Sequence, residues 1–184
     1  MTGRVTLFES TTGTLAKRWS LNATGEAVKE TGAQMAQGSY SVRSFGSVVD
    51  LVALLASVTT KQAVCCSLPL DGSTQGAITT KRAPKADAKA RTKHEFGLLP
   101  VSGLLFLDHD APADAQGMTR DELWAKLLEA APALAGAGAG VVWRPSGSSH
   151  VFKGGEDLTG LRGQHLFVLL ADASDAPRDR KSVV

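Results

Sequence analysis

The chain has 184 residues, a hydrophobic share of 43%, a charged share of 21% and a formal net charge of +2. That length supports one domain, or two tightly joined halves, with a real buried core, and the composition is that of an ordinary globular protein. So small a net charge excludes a bulk polycation, and any contact with nucleic acid must come from a local basic surface. The two cysteines are adjacent, Cys65 and Cys66. On a strand they would face opposite sides, so they would not chelate one metal together, and they suggest no disulfide framework. A reducing cytoplasm is the compartment expected. No basic segment followed by an apolar core opens the chain, and no apolar run approaches membrane-spanning length, so a soluble protein without a membrane partner is expected.

In chain order, residues 5–9 read as a short first strand, and the stretch through Gly38 is polar and glycine-dotted with no clear period. Tyr40 to Phe45 alternates like a strand, and Ser47-Val48-Val49-Asp50 resembles a capping box opening a helix from Val48 to about Ser57. Lys61 to Leu68 reads as a further strand ended by Pro69 and Asp71-Gly72. Strand, helix and strand in this spacing suggest a βαβ-like unit. These elements form an expected N-terminal α/β module over about residues 1–80.

Residues 71–97 are rich in Lys and Arg and poor in apolar side chains, and a mobile basic loop is expected over about 81–100. A strand over 101–108 follows. Thr119-Arg120-Asp121-Glu122 is a capping box, with Met118 and Leu123 placed as its hydrophobic staple. Leu123, Trp124, Leu127, Leu128 and Ala131 then share one helix face, closed by Pro132. The Ala-Gly run 135–140 reads as a flexible connector. Val141-Val142-Trp143 starts a strand that is interrupted at Pro145 and resumed by Ser148 to Phe152, and 153–163 reads as a hairpin turning at Gly154-Gly155. Gln164 to Ala171 is a long apolar strand ending at Asp172. The ending at Val184 looks arbitrary, as expected of a domain cut from a longer polypeptide or of a clone ending in foreign residues, and the module expected to carry the chemistry spans about 101–178.

The stretch Gly103-Leu104-Leu105-Phe106-Leu107-Asp108-His109-Asp110 organises the reading. Side chains two apart on a strand share a face, so Asp108 and Asp110 point the same way at the strand's end. Two carboxylates held so close repel unless a cation lies between them. Two further strand ends carry polar groups, at Ser148-Ser149-His150 and at Asp172. Two-metal phosphoryl transfer needs about three carboxylates holding cations roughly 3.5–4 Å apart, and donors for the phosphates being moved. Asp108, Asp110 and Asp172 supply the acids if strands 101–108 and 164–171 are neighbours. His150 and Ser148 supply donors, with Arg144, Lys153, Arg162, His165, Arg91 and Lys93 as further candidates. Each signal has a plainer reading: a turn or helix cap for Asp-x-Asp, a satisfied histidine for Ser-Ser-His, an Asx-turn acid at Asp172, and a solvated surface for the basic loop. His109 points to the opposite face, as a packing residue or as an outer partner of the metal ligands.

Apolar-Asp108-His109-Asp110, then Ser148-Ser149-His150, then an apolar strand into Asp172 resembles the three motifs of the archaeo-eukaryotic primase superfamily. The stretches Arg144 to His150, Gly160 to His165 and Asp172 to Arg178 are similar to the primase–polymerase domains of phages, plasmids and other mobile elements, which are often fused to a helicase. The likeness covers about residues 88–178. It implies an α+β fold, with a catalytic sheet like that of the RNA-recognition motif packed with an N-terminal α/β module. It implies Asp108, Asp110 and Asp172 as catalytic ligands of two Mg²⁺ or Mn²⁺ ions, with Asp175 a competitor for the third place. His150 would contact the incoming nucleotide's phosphates with Ser148 beside it, and Arg144, Arg162 and His165 would lie in the nucleotide-binding region. No zinc-binding Cys/His cluster stands between the motifs, so a zinc stem is not expected. The helical region that follows the third motif in such proteins is also missing, and priming is the step that would need it.

The function expected is a DNA-dependent nucleotidyl transferase, a primase or primer-extending polymerase of replication. It would add NTPs or dNTPs on a single-stranded DNA template beside a helicase partner. The template would be held electrostatically by Lys81, Arg82, Lys85, Lys89, Arg91 and Lys93. Two rivals use the same surface: a replication initiator that only binds single-stranded DNA, and a two-metal nuclease or phosphohydrolase with water as nucleophile.

Overall fold

The computed structural model describes residues 2–30, 35–112 and 117–176. In chain order its elements are β1 (Gly3–Ser10), β2 (Arg18–Leu21), β3 (Ala27–Glu30), β4 (Gln37–Phe45), α1 (Val48–Ser57), β5 (Gln62–Cys65), β6 (Leu68–Pro69), β7 (Gln75–Thr79), β8 (Ala88–Ala90), β9 (Phe96–Gly97), β10 (Gly103–Asp110), α2 (Arg120–Ala130), β11 (Val141–Pro145), β12 (Phe152–Lys153), β13 (Glu156–Asp157) and β14 (Gly163–Leu170). The architecture is α+β, mostly strands with two helices. No helix among the described residues is long and apolar enough to cross a membrane. The chain forms two compact units, each built from separate segments: Met1–Ala16, Gly32–Leu105 and Leu169–Val184 in the first, Lys17–Thr31 and Phe106–Val168 in the second.

The first unit is built on a sheet ordered β5-β1-β4-β7-β8. Strand β1 runs antiparallel to both β4 and β5. The strand–helix–strand expected over 40–68 is therefore a split unit, with β4 and β5 parallel and β1 inserted between them. Burial explains why β1 is central: Val5, Thr6, Phe8 and Ser10 are buried, and Thr6 satisfies its hydroxyl by donating to Ser67 O at 2.7 Å. The core gathers Phe8, Met35, Tyr40, Ile78 and Phe96. Phe96 meets Phe8 and Tyr40 edge-on, at 5.2 and 5.3 Å between ring centres, and each such pair adds about 0.5–1.5 kcal/mol beyond the area it buries. A Cβ on Gly38 would lie 2.0 Å from Glu9 O, so the β1–β4 pairing depends on glycine there.

Helix α1 begins where its sequence signals it. Ser47 Oγ caps the helix by accepting from Asp50 N at 3.1 Å, and Asp50 Oδ2 accepts from Gly46 N, one residue before the cap, at 3.0 Å. Leu51 and Leu55, one turn apart, are its buried residues. The stretch expected as a mobile basic loop is instead held in place. Strand β8 pairs parallel with β7, β9 pairs with β6, Lys89 Nζ lies 2.7 Å from Asp71 Oδ2 and 3.4 Å from Glu95 Oε2, and Arg91 donates to Met35 O at 2.5 Å. The residues between the charges account for the difference: Ala88 and Ala90 pair along β7, and Phe96 enters the core.

In the second unit β2 and β3 form a hairpin over the segment that showed no period. Trp19 Nε1 donates to Gly147 O at 3.1 Å, tying that hairpin to the turn after β11. Helix α2 has the complete capping box, with Thr119 and Glu122 bonded to each other's backbone and Leu123 buried. The Ala-Gly run expected as a flexible connector lies within a 3₁₀ segment, Pro132–Gly140. The resumption of β11 over 148–152 does not occur. Strand β11 ends at Pro145, which has no N–H to continue a ladder, and Ser146 Oγ accepts from Ser148 N at 3.3 Å to start a turn. Strands β12 and β13 form the expected hairpin across Gly154 and Gly155, both at positive φ.

Candidate functional site: the open face of the β10–β14–β11 sheet

Strand β14 lies between β10 and β11, so the two long apolar strands that end in acids are neighbours, as expected. Alternation sorts the second unit's part of this sheet into two faces. Leu107, Gln164, Leu166 and Val168 point to the buried one. There Gln164, fully buried, accepts from Trp143 Nε1 at 2.7 Å and donates to Met118 O at 2.7 Å. Its amide is satisfied at both ends, as a buried polar group must be.

The other face carries the chemistry. Phe106, Asp108 and Asp110 alternate along β10 and all three are exposed, Phe106 at 40%. His165 stands beside them on β14: its Nε2 is 3.3 Å from Asp108 Oδ1, and its ring meets Phe106 edge-on at 5.1 Å. Arg144 on β11 is the direct cross-strand partner of His165. Burial pushes the His165 imidazole below its ordinary value. Asp108 and Asp110 pull it up by less, and Arg144 and Lys17 add to the lowering. The ring is therefore neutral at pH 7 and above.

Gly163 explains how Asp110 is accommodated. A Cβ there would lie 2.5 Å from Asp110 Oδ1 and 2.4 Å from Ser146 Oγ, so the missing side chain is the space those two groups occupy. Two exposed carboxylates two apart are hard oxygen donors of the kind Mg²⁺ and Mn²⁺ take. Among the described residues, however, no group of three or more His, Cys, Asp or Glu side chains is gathered so as to hold a metal ion.

Asp172, the expected third acid, belongs to the first unit. Its Oδ1 accepts from Ser174 N at 2.8 Å and Ser174 Oγ at 2.7 Å, capping the short 3₁₀ turn Ala173–Asp175. The side chain of Asp175 lies outside what is described, and with it the choice between these two acids.

The Ser-Ser-His segment is a turn docked on residues 157–163. Ser149, not Ser148, makes the structural bonds: its hydroxyl donates to Gly163 O at 2.7 Å and accepts from Arg162 N and Gly163 N at 3.0 and 2.9 Å. Ser148 Oγ pairs with Ser146 Oγ at 2.8 Å. Arg162 reaches Pro112 O at 3.1 Å through its guanidinium. His150 has φ +53 and is the one non-glycine residue at positive φ among the described residues. Its Nδ1 lies 2.7 Å from Asp157 Oδ2. Its ring stacks with that of Phe152, 6.5 Å away, and Phe152 is 63% exposed. Beside it, Trp19, Leu21, Phe152 and Leu158 line a cleft of about 190 Å³, below the usual range of ligand pockets.

Among the basic residues expected to hold DNA, Lys81, Arg82, Lys85 and Lys93 are exposed, with Lys85 Nζ 3.1 Å from Gln37 Oε1. Lys89 and Arg91 carry the intramolecular bonds described above. Sequence reasoning passed over Phe106, Gly163, Ser146 and Asp157. The last was recoverable: a hairpin turning at Gly154-Gly155 pairs Phe152 with Asp157, which brings that acid back toward His150. Comparison with protein-family models, with curated proteins and with solved structures finds no match.

Proposed function

We propose that the chain is a nucleotidyl transferase that adds nucleoside triphosphates to a primer on single-stranded DNA, built on the primase–polymerase plan. The observation that carries this reading is the exposed face on which Asp108, Asp110, Phe106, His165 and Arg144 stand together. Asp108 and Asp110 would hold Mg²⁺ or Mn²⁺. Bound there, the cations would supply Lewis-acid charge for the phosphate oxygens and acidify the attacking hydroxyl.

The protein's own residues have separate tasks in this scheme. Arg144 presents a permanent positive charge to a triphosphate, in a planar fork suited to phosphate. Phe106 offers an exposed ring against which a base or sugar can pack, as aromatic residues do on open sheet faces that bind nucleic acid. His165, packed on Phe106 with its Nε2 3.3 Å from Asp108 Oδ1, would orient that carboxylate. His150, held away from the sheet's alternation by its own turn, contributes a further donor to phosphate. Lys81, Arg82, Lys85 and Lys93 contribute charge along the template.

The experiment is a labelled primer–template incubated with each nucleotide type and Mn²⁺ or Mg²⁺. Lengthened primers are the expected result. Shortened primers would assign the same acids to a nuclease. Unchanged primers that are nonetheless bound would leave a single-stranded-DNA-binding module, the alternative that exposed Phe106 by itself supports.

A further inference from the structure

We propose that Asp157 is a positioning residue for His150, fixing which ring nitrogen faces outward and thereby which atom meets the nucleotide's phosphates. The inference rests on the role given above to His150, and it adds the residue that makes that role possible.

Asp157 is committed through both oxygens. Its Oδ2 lies 2.7 Å from His150 Nδ1, while its Oδ1 accepts from Thr159 N at 3.2 Å and Gly160 N at 2.9 Å. The backbone of His150 is gripped by the same segment. His150 N donates to Gly160 O at 2.7 Å, Val151 N to Thr159 Oγ1 at 3.0 Å, and Leu158 N to Val151 O at 2.8 Å. These bonds hold a histidine at φ +53, a conformation that persists only where the surroundings over-determine it. The imidazole and the backbone N–H donors keep the Asp157 carboxyl below the usual carboxylate range, the imidazole foremost, so it is ionised at neutral pH.

An ionised carboxylate accepts and cannot donate. It therefore claims the proton on Nδ1 and leaves Nε2 as the working nitrogen of a side chain that is 41% exposed. When the ring is protonated, Nε2–H is its remaining donor, aimed outward and charge-assisted. A histidine without such an anchor would divide its proton between both nitrogens and its ring among several rotamers.

Asp157→Asn separates this role from a merely structural one. The backbone N–H groups of Thr159 and Gly160 continue to claim the amide oxygen, so the turn is kept, and the amide NH2 is the group left facing His150 Nδ1. It can only donate there, which forces the ring proton onto Nε2. Long-range ¹H–¹⁵N spectra of the whole chain, recorded with the ring neutral at about pH 8.5, should show His150 with its proton on Nδ1 in wild type and on Nε2 in Asp157→Asn. At that pH the neutral wild-type ring turns its Nε2 lone pair toward the phosphates and the variant turns Nε2–H toward them, so in primer extension with Mn²⁺ the variant should lower KM for the nucleotide, with kcat within about twofold. An Nε2–H tautomer in wild type, or an unchanged tautomer and KM in the variant, overturns the proposal. The wild-type tautomer decides the matter even if the variant does not fold. If the tautomer switches as stated but wild type extends no primer, the positioning role stands and the polymerase reading falls.

Discussion

Asp108 Oδ1 lies 3.3 Å from Nε2 of His165, across neighbouring strands, and the imidazole in that contact is neutral at pH 7 because burial outweighs the pull of the carboxylate. A neutral ring orients a carboxylate without cancelling its charge. Asp108 is thus steered by a partner that leaves its negative charge available, and Asp110 stands exposed on the same face. A carboxylate meant only for structure would more usefully face Arg144, the cation in register with His165.

Asp108→Asn and Asp110→Asn should each reduce Mn²⁺-dependent nucleotide incorporation by more than about 100-fold, since outer-sphere partners of metal ligands alone cost 10–100-fold. Both side chains are exposed, so Tm should move by less than about 2 °C. Primer extension and thermal unfolding on the same preparations check this. Incorporation within about tenfold of wild type in both variants would remove the acids from the chemistry.

Gly163→Ala tests the accommodation of Asp110. The added Cβ would fall 2.4 Å from Ser146 Oγ and 2.5 Å from Asp110 Oδ1, and Ser146 is buried at 4% exposure, so it has little room to yield. The expected outcome is a loss of about 1–3 kcal/mol from overpacking, with incorporation falling further than stability because Asp110 must move. Denaturant titration beside primer extension separates the two effects. A stable and fully active variant would show that Asp110 does not depend on this space.

Much of this was legible in the sequence where local chemistry decides. Ser47 and Thr119 cap the two helices as their sequence neighbours indicate, and the apolar runs into Asp110 and Asp172 form adjacent strands because both need burial. The failures come from long-range pairing. The strand expected over 148–152 is overridden by the Ser149 hydroxyl, which bonds the backbone of Gly163 fourteen residues on and which no period reveals. Charge density points to a loop over the basic stretch, whereas Ala88 and Ala90 pair along β7 and Phe96 enters the core of the first unit. An unbroken apolar run points to burial at every position, and only the sheet's open face gives Phe106, 40% exposed, a different meaning.

Lys89 and Asp71 supply a pH test. The Lys89 ammonium, then Ser73, holds the Asp71 carboxyl well below its ordinary value of 3.8. In acid the unfolded chain takes up a proton that the folded chain refuses. The contribution is therefore fully present above pH of about 3.8 and is lost as pH falls toward the folded value. Lys89→Gln removes the larger part of it and leaves the Ser73 bonds. The Tm difference between wild type and variant should be largest near neutral pH and shrink on acidification to about pH 2.5, and a constant difference would mean that the pair adds nothing.

The same bonds divide the basic residues into two classes for the DNA binding proposed above. Lys89 is occupied by Asp71 and Glu95, and Arg91 by Met35 O, so recruiting either to a phosphate would first break a bond within the fold. Lys81 and Arg82 are exposed and can trade counter-ions for phosphates directly. Each phosphate contact on a single strand contributes about −0.7 to the slope of log K against log salt. The double variant Lys81→Gln/Arg82→Gln should therefore weaken binding of a labelled single-stranded oligonucleotide and flatten that slope by about 1.4, whereas Lys89→Gln should leave it within about 0.3 of wild type. A salt titration by fluorescence anisotropy reads both. Equal slopes for all three proteins would take this segment out of the template path, and a larger loss from Lys89→Gln than from the double variant would mean that the Asp71 pair opens when DNA binds.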